Sequence, residues 1–437
     1  MYPFRYHWPC TATLLLVCAV AAPLAGAESL EQAWQMAAEH DAGLAAAASE
    51  QAAADAQLRA ARAARWPSLA VGGSVTQLQD APALSISTAS GRFVSPPIFG
   101  DNRLGVASAQ VALPLYTSGR ISAVVEAARA GSRIAGDEQA RTAEDLRLAV
   151  AEAYIEVLRT REALSVAQSA VASLQAHAVD AQRRYHAQDV ALTDVLAARV
   201  ALANAQQRRL RAANAVQLAT AAYNRYLGQD LDRVPQLDAN IADATADLED
   251  TSLASLMARA LRTRPELSAI AQSADAYQQQ ARAEGSRLGP QLALNLGYYH
   301  VDNTILDRQD FGYVGVGVQW TLFDGGQARA RADAARSSAR AEQQRLQDLR
   351  SRIQLQVRQA WLERTQAQSS LASAGDAVQQ AEENLRVARQ LYDVGSGTDT
   401  QVLDAESLRT TALTNRDDAR FDLQVAQFEL ERAVGSL

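Results

Sequence analysis

A chain of 437 residues could hold two or three ordinary domains, but its composition is not that of a globular enzyme. Aromatics make up only 5% and lysine is missing, so arginine carries the fixed positive charge. Alanine, arginine, glutamine and leucine favour long helices, and a formal net charge of -7 argues against nucleic acid as the main partner.

The chain opens with Arg5 and a short apolar stretch over residues 11–22, too short to span a bilayer. Ala25-Gly26-Ala27 then fits a small-residue cleavage site before Glu28. Residues 1–27 therefore read as a secretory signal peptide, with a membrane anchor as the alternative. Cys10 and Cys18 both fall inside it, so no disulfide is expected in the mature chain. Val17 before Cys18 is a poor match to a lipidation signal.

A first repeat follows over residues 28–227. Residues 29–65 have a helical pattern, ended by Trp66-Pro67. A β-hairpin is expected over 67–116: Leu69, Val71, Gly73 and Val75 alternate with smaller or polar residues, and Ala107, Ala109, Val111, Leu113 and Leu115 alternate likewise. Between these strands, residues 80–101 are rich in Ser, Pro and Gly and read as a long loop. A long helix pair occupies 118–227. Val150, Val157, Leu164, Val171, Ala178 and Tyr185 recur every seven residues, which implies left-handed supercoiling, and the chain returns from Thr193.

Residues 228–252 form an acidic connector, and 253–437 repeat the first part. Trp66-Pro67 aligns with Gly289-Pro290 at an offset of 223, and Arg225 and Gly228 align with Arg432 and Gly435 at an offset of 207. The change of offset marks extra residues in the first copy between Pro67 and Val111. The second copy has its own helix, a β-hairpin over 290–323 and a long helix pair over 326–434.

No later stretch reaches eighteen consecutive apolar residues, so a membrane-bound form must be a β-barrel. Leu292, Leu294 and Leu296, then Val314, Val316 and Val318, alternate with small or polar residues. Aromatics gather at the strand ends: Trp66, Tyr116, Tyr298, Tyr299, Phe311, Tyr313, Trp320 and Phe323. A lipid-facing barrel strand has this pattern; a soluble β-sandwich is the alternative. Four strands cannot close a barrel, so at least two chains must combine; about eight strands is the smallest closed barrel, and three chains would supply twelve. The expected fold is mixed: four strands per chain contributed to a trimeric 12-stranded transmembrane β-barrel, continued by a long α-helical coiled-coil tunnel.

At the second helical turn, Tyr392-Asp393-Val394-Gly395-Ser396-Gly397-Thr398-Asp399-Thr400-Gln401-Val402-Leu403-Asp404-Ala405 resembles the TolC-type outer membrane factors. The strand exit Leu322-Phe323-Asp324-Gly325-Gly326, with its counterpart Tyr116-Thr117-Ser118-Gly119, carries the same resemblance. It implies a homotrimer in the outer membrane with its helical tunnel in the periplasm. It also implies a periplasmic adaptor (a membrane fusion protein) and an inner-membrane pump or ABC transporter as partners. The function implied is a passive export duct of a tripartite efflux pump or type I secretion system. A periplasmic coiled-coil tether without channel activity is the competing class.

The resemblance places a periplasmic gate at Thr193, Asp194, Tyr392, Gln401 and Asp404, with Tyr392 hydrogen-bonding toward Asp194 in a closed state. Adaptor contact falls to the turns, at Gln188, Asp189, Val190, Gly395, Ser396 and Gly397. Gln188 stands where the second copy has Gly395, so the two turns are expected to differ in shape. Gly397 occupies a position where some members carry a basic gating residue. A blander reading makes Asp194 an N-cap and Asp404 a solvated first-turn residue. No catalytic constellation, cofactor motif or metal spacing is found; His40, His177, His186 and His300 are scattered.

Overall fold

The computed structural model describes residues 27–97, 102–241, 252–302 and 307–437. The signal-peptide reading, both cysteines and residues 242–251 of the acidic connector lie outside the described residues.

Each copy begins with two helices where one was expected. In the first, Ser29 and Gln32 form a capping box at the start of α1 (Leu30–His40). Asp41 then interrupts: its carboxylate accepts from the Leu44 amide at 2.7 Å and starts α2 (Ala42–Ala63). In the second copy, α5 (Leu253–Thr263) gives way to α6 (Pro265–Gly285) at Arg264-Pro265. Proline has no amide hydrogen to continue a helix but suits the first helical position. An aspartate cap in one copy and a proline in the other thus do the same work.

The four long strands are β1 (Ser68–Gln77), β4 (Arg103–Tyr116), β5 (Gln291–Val301) and β6 (Asp310–Gln319). They form one antiparallel sheet in the order β1-β4-β5-β6. The β4–β5 ladder joins the two copies, pairing Val111 with Leu296 and Leu113 with Leu294. Leu69, Val111, Leu296 and Val314 lie in one cross-strand row, as do Leu113, Leu294 and Val316, so one face is apolar across all four strands. Among the described residues nothing packs on that face: Leu69, Val71, Val314 and Val316 are 60–79% exposed. This removes the sandwich alternative, which needs a second sheet there.

Two readings of the sheet are corrected. Six strands are present among the described residues, because the expected loop 80–101 contains the hairpin β2 (Ala83–Thr88) and β3 (Gly91–Pro97). Leu84 and Ile86 alternate with serines there, a strand pattern hidden by the turn-forming composition. Secondly, Tyr299, Phe311 and Tyr313 do not edge the apolar face. They share the opposite face with Ser108, Gln110 and Gly297. The Tyr313 ring lies over Gly297, occupying the space a Cβ would need. Tyr298 does lie on the apolar face, beside Ala109.

From the sheet run two helices of 67 residues each, α3 (Arg120–His186) and α7 (Gln327–Asp393), each roughly 100 Å long. They pair with the returning α4 (Leu192–Tyr226) and α8 (Asp399–Val434). Val150, Val157, Leu174, Ala178 and Ala181 of α3, and Ile353, Val357, Val378, Leu385 and Tyr392 of α7, are buried as the heptads require. α2 packs on α3, and α6 lies against both α3 and α7.

The largest buried side chains gather midway along the long helices. Tyr154, Tyr223, Leu227, Phe421 and Phe428 form one cluster with α1; Leu256, Ile353, Leu430 and Val434 form another with α5. Glu28 is buried beside the first, its carboxylate held by the Tyr223 hydroxyl and by Arg233 at 2.7 Å. At the second, the buried Arg432 meets Glu144 at 3.0 Å, Asp145 at 2.7 Å and Glu266 at 2.9 Å, tying α8 to α3 and α6. Burial alone would raise the Glu266 carboxyl, but hydrogen bonds from Arg264 and Arg432 overrule it and hold the group down to about 2.

A carboxyl lowered on folding contributes stability that is full above its ordinary value of 4.5 and fades as pH falls toward 2. Glu266→Gln should therefore lower the thermal midpoint at pH 7, by at most about 3 kcal/mol of stability. The gap to wild type should narrow below pH 4 in circular-dichroism melts; a gap unchanged down to pH 2 would refute the assignment.

Candidate functional site

The long helices reverse direction at residues 187–191 and 394–398. Both turns end the incoming helix in the same way. Gln188 has φ +65° and Gly395 φ +74°. The Gln188 amide donates to the Tyr185 carbonyl at 3.0 Å and that of Asp189 to Arg184 at 2.9 Å; Gly395 and Ser396 repeat this with Tyr392 and Leu391, at 3.1 and 2.9 Å. At this end of the turns the expected difference in shape is absent: the closing hydrogen bonds demand a left-handed residue, and Gln188 adopts that conformation despite its side chain. The outgoing ends do differ, since Thr398 starts α8 with a capping box and Ala191 starts α4 with no side-chain cap. The strand exits behave alike, with Ser118 at φ +51° matching Gly325 at φ +68°.

Of the six turn residues, Gln188, Asp189, Gly395 and Ser396 are exposed. Val190 tucks against the cluster of Leu385, Ala388, Tyr392, Val402 and Ala405, so the first turn leans on the second helix pair. Gly397 has no room for a side chain, since a Cβ would meet the Tyr392 amide nitrogen at 2.9 Å. A basic residue cannot be accommodated there without moving the turn.

The expected gate residues divide. Thr193 and Asp404 are exposed, and Asp194 is half-buried. Asp194 is not the N-cap of α4, which is Ala191 with no side-chain cap; it sits in the first turn and accepts from Thr193 Oγ1 at 3.4 Å. Gln401 is engaged locally, in a capping box with Thr398: its side chain accepts from the Thr398 amide at 3.0 Å. The Tyr392 hydroxyl is buried and makes no hydrogen bond among the described residues, so the expected bond to Asp194 is not formed within the chain. Burial, then the Asp399 carboxylate, pushes its phenol above the usual range.

Tyr392 sits instead in a seam between α3 and the α7–α8 turn. Its ring centre lies 5.4 Å from that of His177 and 4.5 Å below the Arg184 guanidinium. Arg184 also reaches Asp180 and Asp393 at 2.8 Å and the Tyr392 carbonyl at 2.9 Å. His177 Nε2 is 2.6 Å from Asp399 Oδ1, the two side chains being 10% and 4% exposed. One turn higher on α3, Ser173 donates to Glu406 at 2.6 Å, and Arg389 pairs with Glu406 at 3.1 Å. Reading the sequence missed this seam. A detectable signal was there: His177, Asp180 and Arg184 recur at i, i+3 and i+7, one stripe of α3.

The other working surface is the sheet. β1 and β6 are its two edges, exposed along their whole length. No described helix is long and apolar enough to cross a membrane, and no group of three His, Cys, Asp or Glu side chains among the described residues could hold a metal ion.

Comparison with known proteins agrees with this geometry. The profile of the outer membrane efflux protein family matches residues 33–229 and 256–436, the two copies. The chain is 24% identical over 420 residues to the outer membrane protein TolC of Vibrio cholerae, covering 94% of this chain and 91% of that protein. It is 32% identical over 131 residues to the outer membrane efflux protein BepC of Brucella suis, covering 30% of this chain and 29% of that one. Among solved structures it resembles CusC, with a TM-score of 0.80, 17% identity and coverage of 93% and 92% of the two chains. VceC of Vibrio cholerae gives a TM-score of 0.77 at 20% identity, covering 93% and 96%.

Gln188→Gly should relieve the left-handed strain and stabilise the turn by about 1 kcal/mol, whereas Gly395→Ala should destabilise by a similar amount. Hydrogen exchange of the turn amides would report both; equal, opposite-signed effects missing from either variant would refute the symmetry of the turns.

Proposed function

The chain belongs to the outer membrane efflux protein family, and from that premise we propose that it is the export duct of a tripartite efflux pump. It is an outer membrane protein with a periplasmic helical section, and not an enzyme. In the proposed assembly three copies join β6 of one to β1 of the next. Strand directions alternate across the sheet, so this junction is antiparallel like the others, and twelve strands close.

The observation that carries the reading is the pair of bare edges on a sheet whose apolar face is uncovered. An unpaired strand edge cannot stay in lipid, so a sheet of this kind must close with other copies. The opposite face carries Gly72, Ser108, Gln110, Asn295 and Gly315, small or polar residues suited to a water-filled lumen. A coiled-coil tether gives this face and these edges no role.

The proposed duct is passive. A periplasmic adaptor would engage the exposed Gln188, Asp189, Gly395 and Ser396, and an inner-membrane transporter would supply the energy and select the cargo. Asp194 in the first turn of α4 and the exposed Asp404 near the start of α8 would ring the entrance and favour cations.

Protein purified in detergent should run as a trimer by light scattering and give stepwise conductance in planar bilayers. A chain that stays soluble without detergent and conducts nothing would overturn the duct in favour of the tether. Asp194→Asn combined with Asp404→Asn should shift the reversal potential in a salt gradient toward zero; an unchanged potential would remove these carboxylates from the entrance.

A further inference from the structure

A sheet face that lines a water-filled lumen should be polar along its whole length. The face opposite the apolar one meets that demand only near the helices, where it carries Asn295, Gly317 and Gln319. Toward the far end it carries Tyr299, Phe311 and Tyr313, flanked by Leu104, Val106 and Val301. Tyr299 pairs with Phe311 and Val106 with Val301, so the six form one continuous patch. At the offset of 207, Leu104 and Val106 correspond to Phe311 and Tyr313, so both copies keep apolar side chains here. Among the described residues of the four strands, none on this face is charged; Arg103, His300 and Asp310 all stand on the other.

The rings are fixed in place but open to solvent. Those of Tyr299 and Tyr313 are stacked, with centres 5.9 Å apart and 14° between their planes. Tyr313 lies against Gly297, where a side chain would displace it, and the Gln110 amide donates to the Tyr299 hydroxyl. Even so, Phe311 is 42% exposed and Tyr313 46%. Closing the barrel would not cover them. The strand brought beside β6 would be β1, which carries only serine, alanine, glycine and threonine on this face. Ordered aromatic rings left bare in this way mark a binding surface.

We propose that this patch is a binding site for planar aromatic cations on their way out of the duct. The proposal rests on the duct reading above, which makes this face the lumen. A planar ring system can stack on Tyr299 and Tyr313 and lay its edge against Leu104, Val106 and Val301. The faces of aromatic rings are negative and attract a cation, and no arginine on this face opposes it. An anion finds no partner there. A saccharide would need hydrogen-bonding side chains around the rings, and the flanking leucine and valines supply none. The patch lies at the end of the sheet remote from the helices, so a trimer would carry it three times near the exit. The duct thereby adds a chemical preference of its own to the selection made by the transporter.

The test uses the full chain in planar bilayers, with ethidium as the probe. Ethidium should interrupt the wild-type current in resolvable closures, while N-methylglucamine, a cation without an aromatic ring, should not. Tyr299→Ser with Tyr313→Ser should shorten the closures about tenfold, as two lost stacking contacts require. Tyr299→Leu with Tyr313→Leu keeps apolar bulk but removes the ring faces, and should shorten them likewise. Closures that persist in the leucine variant would reduce the patch to a simple narrowing and overturn the proposal. Tyr298→Leu, one residue away on the apolar face, should leave the closures unchanged; an effect there equal to that of the paired variants would also overturn it. So would maltotriose interrupting the current where ethidium does not. A wild-type channel that conducts without interruption by ethidium sinks the site and leaves the duct standing, whereas a chain that forms no channel sinks both.

Discussion

A β-strand edge in hydrocarbon must find a partner, and most of this molecule can be understood from that demand. Unpaired amides and carbonyls that water would satisfy are left without recourse in lipid. Two hairpins of one chain join through β4 and β5 and still leave β1 and β6 bare. The chain therefore cannot complete its own membrane domain. Its apolar sheet face, which would be a liability on a soluble protein, becomes the surface that meets the bilayer. The long helices inherit their arrangement from this. α3 follows β4 through Ser118-Gly119 and α7 follows β6 through a segment ending in Gly325-Gly326, each pair left-handed, so the spacing of strands sets the spacing of helix pairs.

Much of this was legible in the sequence. The duplication, the period of two in the strands and the period of seven in α3 and α7 are local and repetitive, and they located the long helices to within a few residues. What escaped was set by single residues or by contacts between distant segments. Asp41 and Pro265 each split a helix that its alanine-rich pattern suggested was continuous. The β2–β3 hairpin was masked by serine and proline. The face taken by Tyr313 follows from its pairing with Gly297 on the neighbouring strand, a register that no local pattern states.

The helical turns were read less well, for a related reason. Comparing copies suggested that Gln188 and Gly395 would differ, because side-chain identity was taken as a guide to backbone conformation. The hydrogen-bond pattern at the end of a helix proved the stronger constraint, and it holds both residues in the same region of φ. Conversely His177 and Asp399 meet although 222 residues separate them, a contact no local pattern could place.

The burial of Glu28 bears on the order in which the chain is put together. Its carboxylate is met by Tyr223 and Arg233, and its backbone pairs with Gln236 and Asp238. Among the described residues it is nearly the first, yet its partners lie about two hundred positions later. A segment emerging amino-end first must therefore wait until α3, α4 and the start of the connector have arrived before its own beginning can settle. The first copy has its two ends sewn together through Glu28, yet its core is filled only when Phe421 and Phe428 of the last helix arrive, so the copy threaded later finishes the one made first.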